Sequence, residues 1–441
     1  MNETFDLVVS GGEVMTPAGR RRADVAITDG RIAAIGDVPS TAAGTSLDAR
    51  GLMVLPGIID TQVHFREPGH EEKEDLANGS RSAVAGGVVA VFEMPNTNPP
   101  TTTPAALEDK LERARGMWCD HAFFAGASDD NHDELAELEL HPGCCGVKIF
   151  MGSSTGSLLV ADDEALASVL RSGRRRVAIH AEDEFRLAER RHLAVEEGHP
   201  RAHPVWRDVE TALRATRRIV TLARDAARPI HVLHVTTAEE IAFLGSAKDI
   251  ATVELLPQHL TLAAPECYER LGGFAQVNPP IRDSRHRDAL WRGIDQGIVD
   301  VMGSDHAPHT AEEKKRPYPE TPGGMPGVET MLPILLNHVA EGRLTLERLV
   351  DLLCYGPQRI YNIRGKGRIS VGYDGDLTLV DLKETRTISH AQQHAKCGWT
   401  AYEGMTVTGW PRATVIRGHV AMRDGEISDT PTGKPVRFWD T

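Results

Sequence analysis

The chain has 441 residues, 41% hydrophobic and 25% charged, enough for one large globular domain plus a smaller one and unlike a disordered protein. A net charge of −14, with no basic run longer than Arg20-Arg21-Arg22 or Arg174-Arg175-Arg176, argues against a general nucleic-acid surface. No apolar run reaches membrane-spanning length, the start lacks the basic and apolar parts of a signal peptide, and six cysteines show no Cys-x-x-Cys pairing, so a cytoplasmic protein with reduced thiols is expected.

In chain order, residues 5–50 alternate short apolar runs with the turn signals Gly11-Gly12 and Asp29-Gly30. Asp-Gly between alternating runs marks a hairpin. The same grammar returns at 376–381, 413–417 and 423–426, so residues 1–54 and 365–441 are expected to pair into one small β domain. Between them, short apolar runs alternate with helical stretches, the pattern of βα units and a parallel sheet. Eight strands are expected, at 53–60, 88–94, 120–127, 146–151, 176–180, 229–235, 250–256 and 299–304, and eight closes a (β/α)8 barrel over 55–364. Helices are expected at 104–115, 162–171, 208–226 and 285–296, with Asp162 and Asp208 as caps. Residues 317–327, rich in Pro and Gly, read as a long loop.

The first of these strands ends unusually. The apolar run 52–59, broken by Pro56-Gly57, is followed by Asp60, Gln62, His64 and Arg66 at every second position. Alternate side chains of an extended chain point the same way, so four polar groups would share one face at the strand's mouth. A metal or an anionic ligand would call for such a set; a solvated strand end is the alternative.

Barrel enzymes carry their working groups at the carboxyl ends of the strands. At those places stand His64, Lys148 (within Gly-Val-Lys-Ile-Phe-Met), His180, His234 and Asp305. Imidazoles and a carboxylate are the donors of catalytic zinc sites, which polarise a carbonyl and activate water, and that amounts to a hydrolase. Any one of these histidines alone reads first as a core or surface side chain. Agreement among four strand ends reverses that reading. Lysine at neutral pH has no lone pair to offer a metal. Carbamylated by carbon dioxide, Lys148 would become an anion able to bridge two metals; a lysine paired to a neighbouring acid is the alternative.

Six motifs then meet a known family: Pro56-Gly57-Ile-Ile-Asp60 leading to His64-Phe-Arg66-Glu-Pro-Gly69; Met94-Pro-Asn96-Thr-Asn-Pro99; His180-Ala-Glu-Asp; His231-Val-Leu-His234-Val-Thr-Thr; Asn278-Pro-Pro-Ile-Arg282; and Ser304-Asp305-His306-Ala-Pro-His309. Over nearly its full length the chain resembles the dihydroorotases, in the cyclic-amide hydrolase branch of the amidohydrolase superfamily. That resemblance implies a TIM-type barrel carrying a β-sandwich built from both termini, and a centre of one or two zinc ions. It implies that His64, His180, His234 and Asp305 bind zinc, with a carbamylated Lys148 bridging the ions when there are two. The implied reaction is reversible cyclisation of N-carbamoyl-L-aspartate to L-dihydroorotate in de novo pyrimidine biosynthesis, with Asp305 moving the proton to the leaving nitrogen.

Dihydroorotate carries a ring carboxylate, and Arg66 has the forked donor geometry that matches one. By the same resemblance His64, Asn96 and His309 belong with Arg66 around the substrate, Asn278 contacts the ring, and the Gly323-Gly324 backbone closes over it. One position departs from the family's His-x-His-x-Arg motif: here it is Gln62-Val-His64-Phe-Arg66. An amide oxygen is a poorer zinc ligand than imidazole, so the metal using His64 is expected to be weakly held or missing. Two alternatives follow: another cyclic-amide hydrolase of the hydantoinase or allantoinase kind, or a weakly active or non-catalytic subunit of an aspartate transcarbamoylase complex. The expected partners are a small-molecule substrate and further copies of the chain, a homo-oligomer such as a dimer.

Two further features read more plainly. His199 and His203 are four apart in a run broken by Pro200 and Pro204, which suits a loop better than a helical metal pair. Gly365-Lys366-Gly-Arg lacks phosphate-loop spacing and marks the return to the terminal domain.

Overall fold

Apolar runs with no polar face need cover on both sides, whereas alternating runs need it on one. The computed structural model, which describes residues 5–39 and 43–439, gives each kind its own sheet. Residues 1–4, 40–42 and 440–441, parts of the expected terminal domain, lie outside the described residues.

The amino end supplies β1 (Phe5–Thr16), β2 (Gly19–Thr28), β3 (Arg31–Gly36), β4 (Ala43–Asp48) and β5 (Met53–Pro56). Eight parallel strands follow: β6 (Ile58–Val63), β7 (Val88–Glu93), β8 (Asp120–Gly126), β9 (Cys144–Phe150), β10 (Val177–His180), β11 (Ile230–Val232), β12 (Ala251–Leu255) and β13 (Val301–Met302), each paired with its sequence neighbour. The carboxyl end adds β14 (Leu377–Thr387), β15 (Thr406–Ile416), β16 (His419–Arg423) and β17 (Glu426–Ile427). The eight form a TIM-type barrel, and the terminal strands form one nine-stranded mixed sheet. β5 joins the two ends, lying parallel to β1 and antiparallel to β14. Register shifts at Val9/Gly12, Ala26/Ile27 and Leu379/Val380 let this sheet curl, so that Val9, Val25, Leu47, Leu379 and Val415 share one buried cluster.

The expected strand 53–60 is in fact two. Gly57 divides them: its N–H donates to Asp376 O at 3.0 Å, and a Cβ there would stand 2.5 Å from Val89 Cγ2. Residues 53–56 therefore stay with the terminal sheet, and Ile58 opens the barrel. β11 and β13 stop short of the expected 229–235 and 299–304, ahead of left-handed turns at His234 (φ 38°) and Asp305 (φ 47°).

The barrel closes through its functional end. Instead of a ladder between β13 and β6, His64 N donates to His306 O at 2.7 Å, and Asp60 Oδ1 accepts from Ser304 N at 3.0 Å and Gln62 N at 3.1 Å. Asp60 therefore braces the seam, with its carboxyl pushed up to about 7 by burial. It does not face the cavity with Gln62, His64 and Arg66, as strict alternation predicts.

Helix Asp163–Arg171 is capped by Asp162, which accepts from Ala165 N, and helix Val209–Asp225 by Asp208, which accepts from Thr211 N, as the sequence leads one to expect. Lys366 ties the terminal sheet to the barrel, donating to Asp376 Oδ2 at 2.6 Å and pairing with Asp120 at the start of β8. All six cysteines are free, and among the described residues no helix is long and apolar enough to cross a membrane.

Candidate active site

Parallel strands deliver their last residues to one end of a barrel, and here that end holds a cavity. Gln62 on β6, His64 and Arg66 just past it, Lys148 on β9, His180 ending β10, His234 after β11 and Asp305 after β13 all line it. Arg66 (φ 64°), His234 and Asp305 take the left-handed backbone that non-glycine residues avoid, at roughly 1–3 kcal/mol each. Strain at three of seven positions turns these side chains out of the strand pleat and into the cavity.

The hydrogen bonds fix which imidazole nitrogens are free. Asn96 Nδ2 donates to Thr155 O at 2.7 Å, which leaves its Oδ1 to accept from His64 Nδ1 at 2.8 Å. His64 Nδ1 thus carries the proton, and its Nε2 lone pair faces Asp305 Oδ1 at 3.1 Å. Two acceptors so placed call for a cation between them. On the other side His180 Nε2 donates to Glu182 Oε2 at 3.0 Å, so its Nδ1 lone pair faces His234 Nε2 at 3.1 Å. Burial pushes the pKa of all three histidines down, which disfavours the charged imidazolium form.

The donors therefore come as two pairs, and among the described residues no group of three His, Cys, Asp or Glu converges on one point. Lys148 is what lies in the same cavity to complete them. Its amine has no hydrogen bond among the described residues and rests 4.5 Å from the Phe150 ring centroid. Burial pushes it down to about 7, against the pull of Asp305 and Glu254. An uncharged amine is the form that reacts with carbon dioxide. The buried Gln62 Oε1, without a hydrogen-bond partner among the described residues, is one more oxygen available to a cation, although Gln62 Nε2 already donates to Asp305 Oδ1 at 3.0 Å. The residues present fit a metal ion.

Beside these donors stands a cation, Arg66, that makes no ion pair among the described residues, although Asp305, Glu93 and Glu313 act on it from farther off. Arg66 is 3% exposed, and among the described residues no carboxylate lies within ion-pair distance of it. Its Nε donates to Pro308 O at 3.1 Å, and its Nη2 lies 3.3 Å from His309 Nε2. Burial lowers its pKa to about 10. A guanidinium taken out of water and left unpaired is costly unless an anion joins it. His309 does not line the cavity; it backs Arg66, with Glu313 Oε2 3.4 Å from its Nδ1. Asn96, expected at the substrate, does line the cavity, yet its amide is already engaged by His64 and Thr155.

Asn278, Gly323 and Gly324 line the opposite wall. His203 Nε2 donates to Asn278 Oδ1 at 2.9 Å, so the Asn278 amide presents its NH2 group. A Cβ on Gly323 would lie 2.7 Å from Asn278 Nδ2, which is why no side chain fits there. The loop carrying both glycines is held by Lys314, whose Nζ donates to Gln276 O at 3.0 Å and to Pro322 O and Gly324 O at 2.8 Å each. In the sequence Lys314 draws no notice, and His203 reads only as part of a loop. For Lys314 one signal exists, the Thr310-x-x-Glu313 capping box that seats its short helix.

A model of the Amidohydrolase family matches residues 53–421. The chain is 34% identical over 424 residues to a dihydroorotase of Methanosarcina mazei, spanning 93% of this chain and 92% of that protein. It is 36% identical over 449 residues to an allantoinase of Solibacter usitatus, spanning 98% of this chain and 97% of the other. Among solved structures, an L-hydantoinase (dihydropyrimidinase) from Arthrobacter aurescens superposes with a TM-score of 0.93 at 29% identity, over 98% of this chain and 100% of that one.

Proposed function

This chain belongs to the amidohydrolase family, and within that family we propose that it is a zinc-dependent dihydroorotase, interconverting N-carbamoyl-L-aspartate and L-dihydroorotate in pyrimidine synthesis. The observation that carries the reading is Arg66, a buried guanidinium in the same cavity as the metal donors that forms no ion pair with a carboxylate among the described residues. Allantoin and hydantoin offer no carboxylate to such a group, whereas dihydroorotate and N-carbamoylaspartate do.

His180 and His234 would hold one zinc ion and His64 and Asp305 a second, with a carbamylated Lys148 supplying an oxygen to each. Zinc bound there would polarise the ring amide carbonyl and lower the pKa of water. The chain's own groups do the rest. Arg66 binds the carboxylate in a forked pair and so fixes which ring carbonyl meets the donors. Asn278 offers its NH2 group to the ring from the opposite wall. Asp305, held by Gln62 through Oδ1, keeps its other oxygen to take the proton from attacking water and pass it to the leaving nitrogen.

A second reading has support of its own: the Solibacter allantoinase is as similar in sequence as the dihydroorotase, and the Arthrobacter hydantoinase superposes closely. Both readings make the protein a cyclic-amide hydrolase. The test is a panel of dihydroorotate, N-carbamoylaspartate, hydantoin, dihydrouracil and allantoin offered to zinc-supplemented protein. Turnover of the first two alone is expected. Faster turnover of hydantoin or allantoin moves the chain to the second reading, and turnover of none favours a non-catalytic subunit.

A further inference from the structure

The proton on His180 Nε2 goes to Glu182, and Glu182 does not end there. Its side chain is fully buried, and Oε1 has no hydrogen-bond partner among the described residues, so its hydrogen bonds fall on Oε2. Arg207 Nη1 donates to that same oxygen. The second arm of the guanidinium, Nη2, donates to Ser153 O at 2.6 Å. Ser153 is also gripped from the far side: its N–H and hydroxyl donate to the two oxygens of Glu184 at 2.6 and 2.7 Å. Gly152 lets the loop pack closely on Glu182, because a Cβ there would stand 2.6 Å from Glu182 O.

Two residues further on, the same loop reaches substrate space. Ser154 and Thr155 line the cavity, Thr155 O accepts from Asn96 Nδ2, and Asn96 Oδ1 accepts from His64 Nδ1. One bonded path thus runs from His180 through Glu182, Arg207, Ser153, Thr155 and Asn96 to His64. It joins the two donor pairs around the outside of the cavity.

We propose that Glu182 and Arg207 are positioning residues that couple metal binding at His180 to the set of the loop at 152–156 over the substrate. This rests on the metallohydrolase reading. A carboxylate on the far nitrogen of a ligating imidazole fixes its tautomer and raises its basicity, typically worth 10- to 100-fold in metal affinity. Arg207 gives the buried carboxylate its counter-charge and spends its other arm on the loop, so one side chain serves both the ligand and the roof.

The test uses the full chain and two readouts besides activity, zinc affinity by chelator competition and amide hydrogen exchange of the loop at 152–156. In the wild-type protein zinc loading is expected to slow exchange there. Glu182→Gln, which keeps shape and loses charge, is expected to weaken zinc about 10- to 100-fold. Arg207→Met is expected to weaken zinc and speed loop exchange, while Arg207→Lys, which keeps the charge but lacks the fork, regains zinc affinity and not loop protection. A role confined to stability would lower the melting temperature of these variants without changing zinc affinity in the folded protein, and that result overturns the proposal. Should Arg207→Met not fold, the lysine variant and the wild-type exchange comparison decide, and loop exchange indifferent to zinc overturns it. Zinc affinity reads the relay and substrate turnover reads the activity, so the two can fail separately.

Discussion

Gln62 Nε2 donates to Asp305 Oδ1 across 3.0 Å, on the same oxygen that faces His64 Nε2 at 3.1 Å. An amide proton therefore occupies part of the carboxylate that a second metal would use. Among the described residues no third side chain donates to the facing nitrogens of His180 and His234. The two halves of the site should differ in affinity, and the half beside Gln62 should be the weaker.

From this difference, protein dialysed against zinc-free buffer should retain between about one and two zinc ions per chain, and Gln62→His should raise that toward about two. Added zinc and bicarbonate should raise the activity of the unmodified chain. Elemental analysis of both forms after identical dialysis checks this. Two full equivalents in both would mean that the glutamine costs the site nothing.

Lys148 gives the metal-free protein a pH signature. Burial moves its ammonium from 10.5 down to about 7. Between those values the unfolded chain holds a proton that the folded chain has released, so stability rises with pH across that window, by up to about 1.4 kcal/mol per unit from this group. Below about pH 7 both states are protonated, and the folded state bears the full cost of a buried ammonium. Lys148→Met should therefore stabilise metal-free, carbonate-free protein most at pH 6 and progressively less toward pH 10. Denaturant titrations of both proteins across that range supply the comparison; a difference independent of pH would contradict it.

Gly323→Ala should damage binding rather than metal content. The added Cβ would meet Asn278, itself held by His203, at 2.7 Å from Nδ2 and 2.9 Å from Cγ. Overpacking of this kind costs on the order of 1–3 kcal/mol. KM for dihydroorotate should rise about tenfold or more, since 1.4 kcal/mol is a factor of ten, with bound zinc unchanged. Steady-state kinetics beside metal analysis reads both, and an unaltered KM would mean the loop gives way freely.

The strand ends were legible because parallel strands all deliver their carboxyl ends to one place, so a list of residues after apolar runs is already a list of neighbours. His64, Lys148, His180, His234 and Asp305, spread over more than 240 positions, share one cavity for that reason. Asp60 shows where the rule stops: the ladder of β6 shifts register between Asp60 and Val63, and the carboxylate turns to Ser304. Pro56-Gly57 is a turn signal inside an apolar run, and it marks the passage from one sheet to the other, which alternation alone does not announce. His203 was the hardest to read. Its partners Asn278 and Tyr318 lie 75 and 115 residues away, and nothing local to the His199–His203 run reports them. Arg207 is like it, a basic residue in a basic stretch until the fold sets it on Glu182.

Whether Arg66 pairs with a carboxylate on the substrate is decided by kcat/KM for dihydroorotate and for neutral dihydrouracil in the wild-type protein and Arg66→Met. A forked, charge-assisted pair in a buried site is worth about 2–4 kcal/mol. Arg66→Met is expected to lose roughly 30- to 1000-fold toward dihydroorotate, to change little toward dihydrouracil, and to bind as much zinc as the wild-type protein. Near-normal turnover of dihydroorotate by the variant, or equal losses on both substrates, would contradict that pairing.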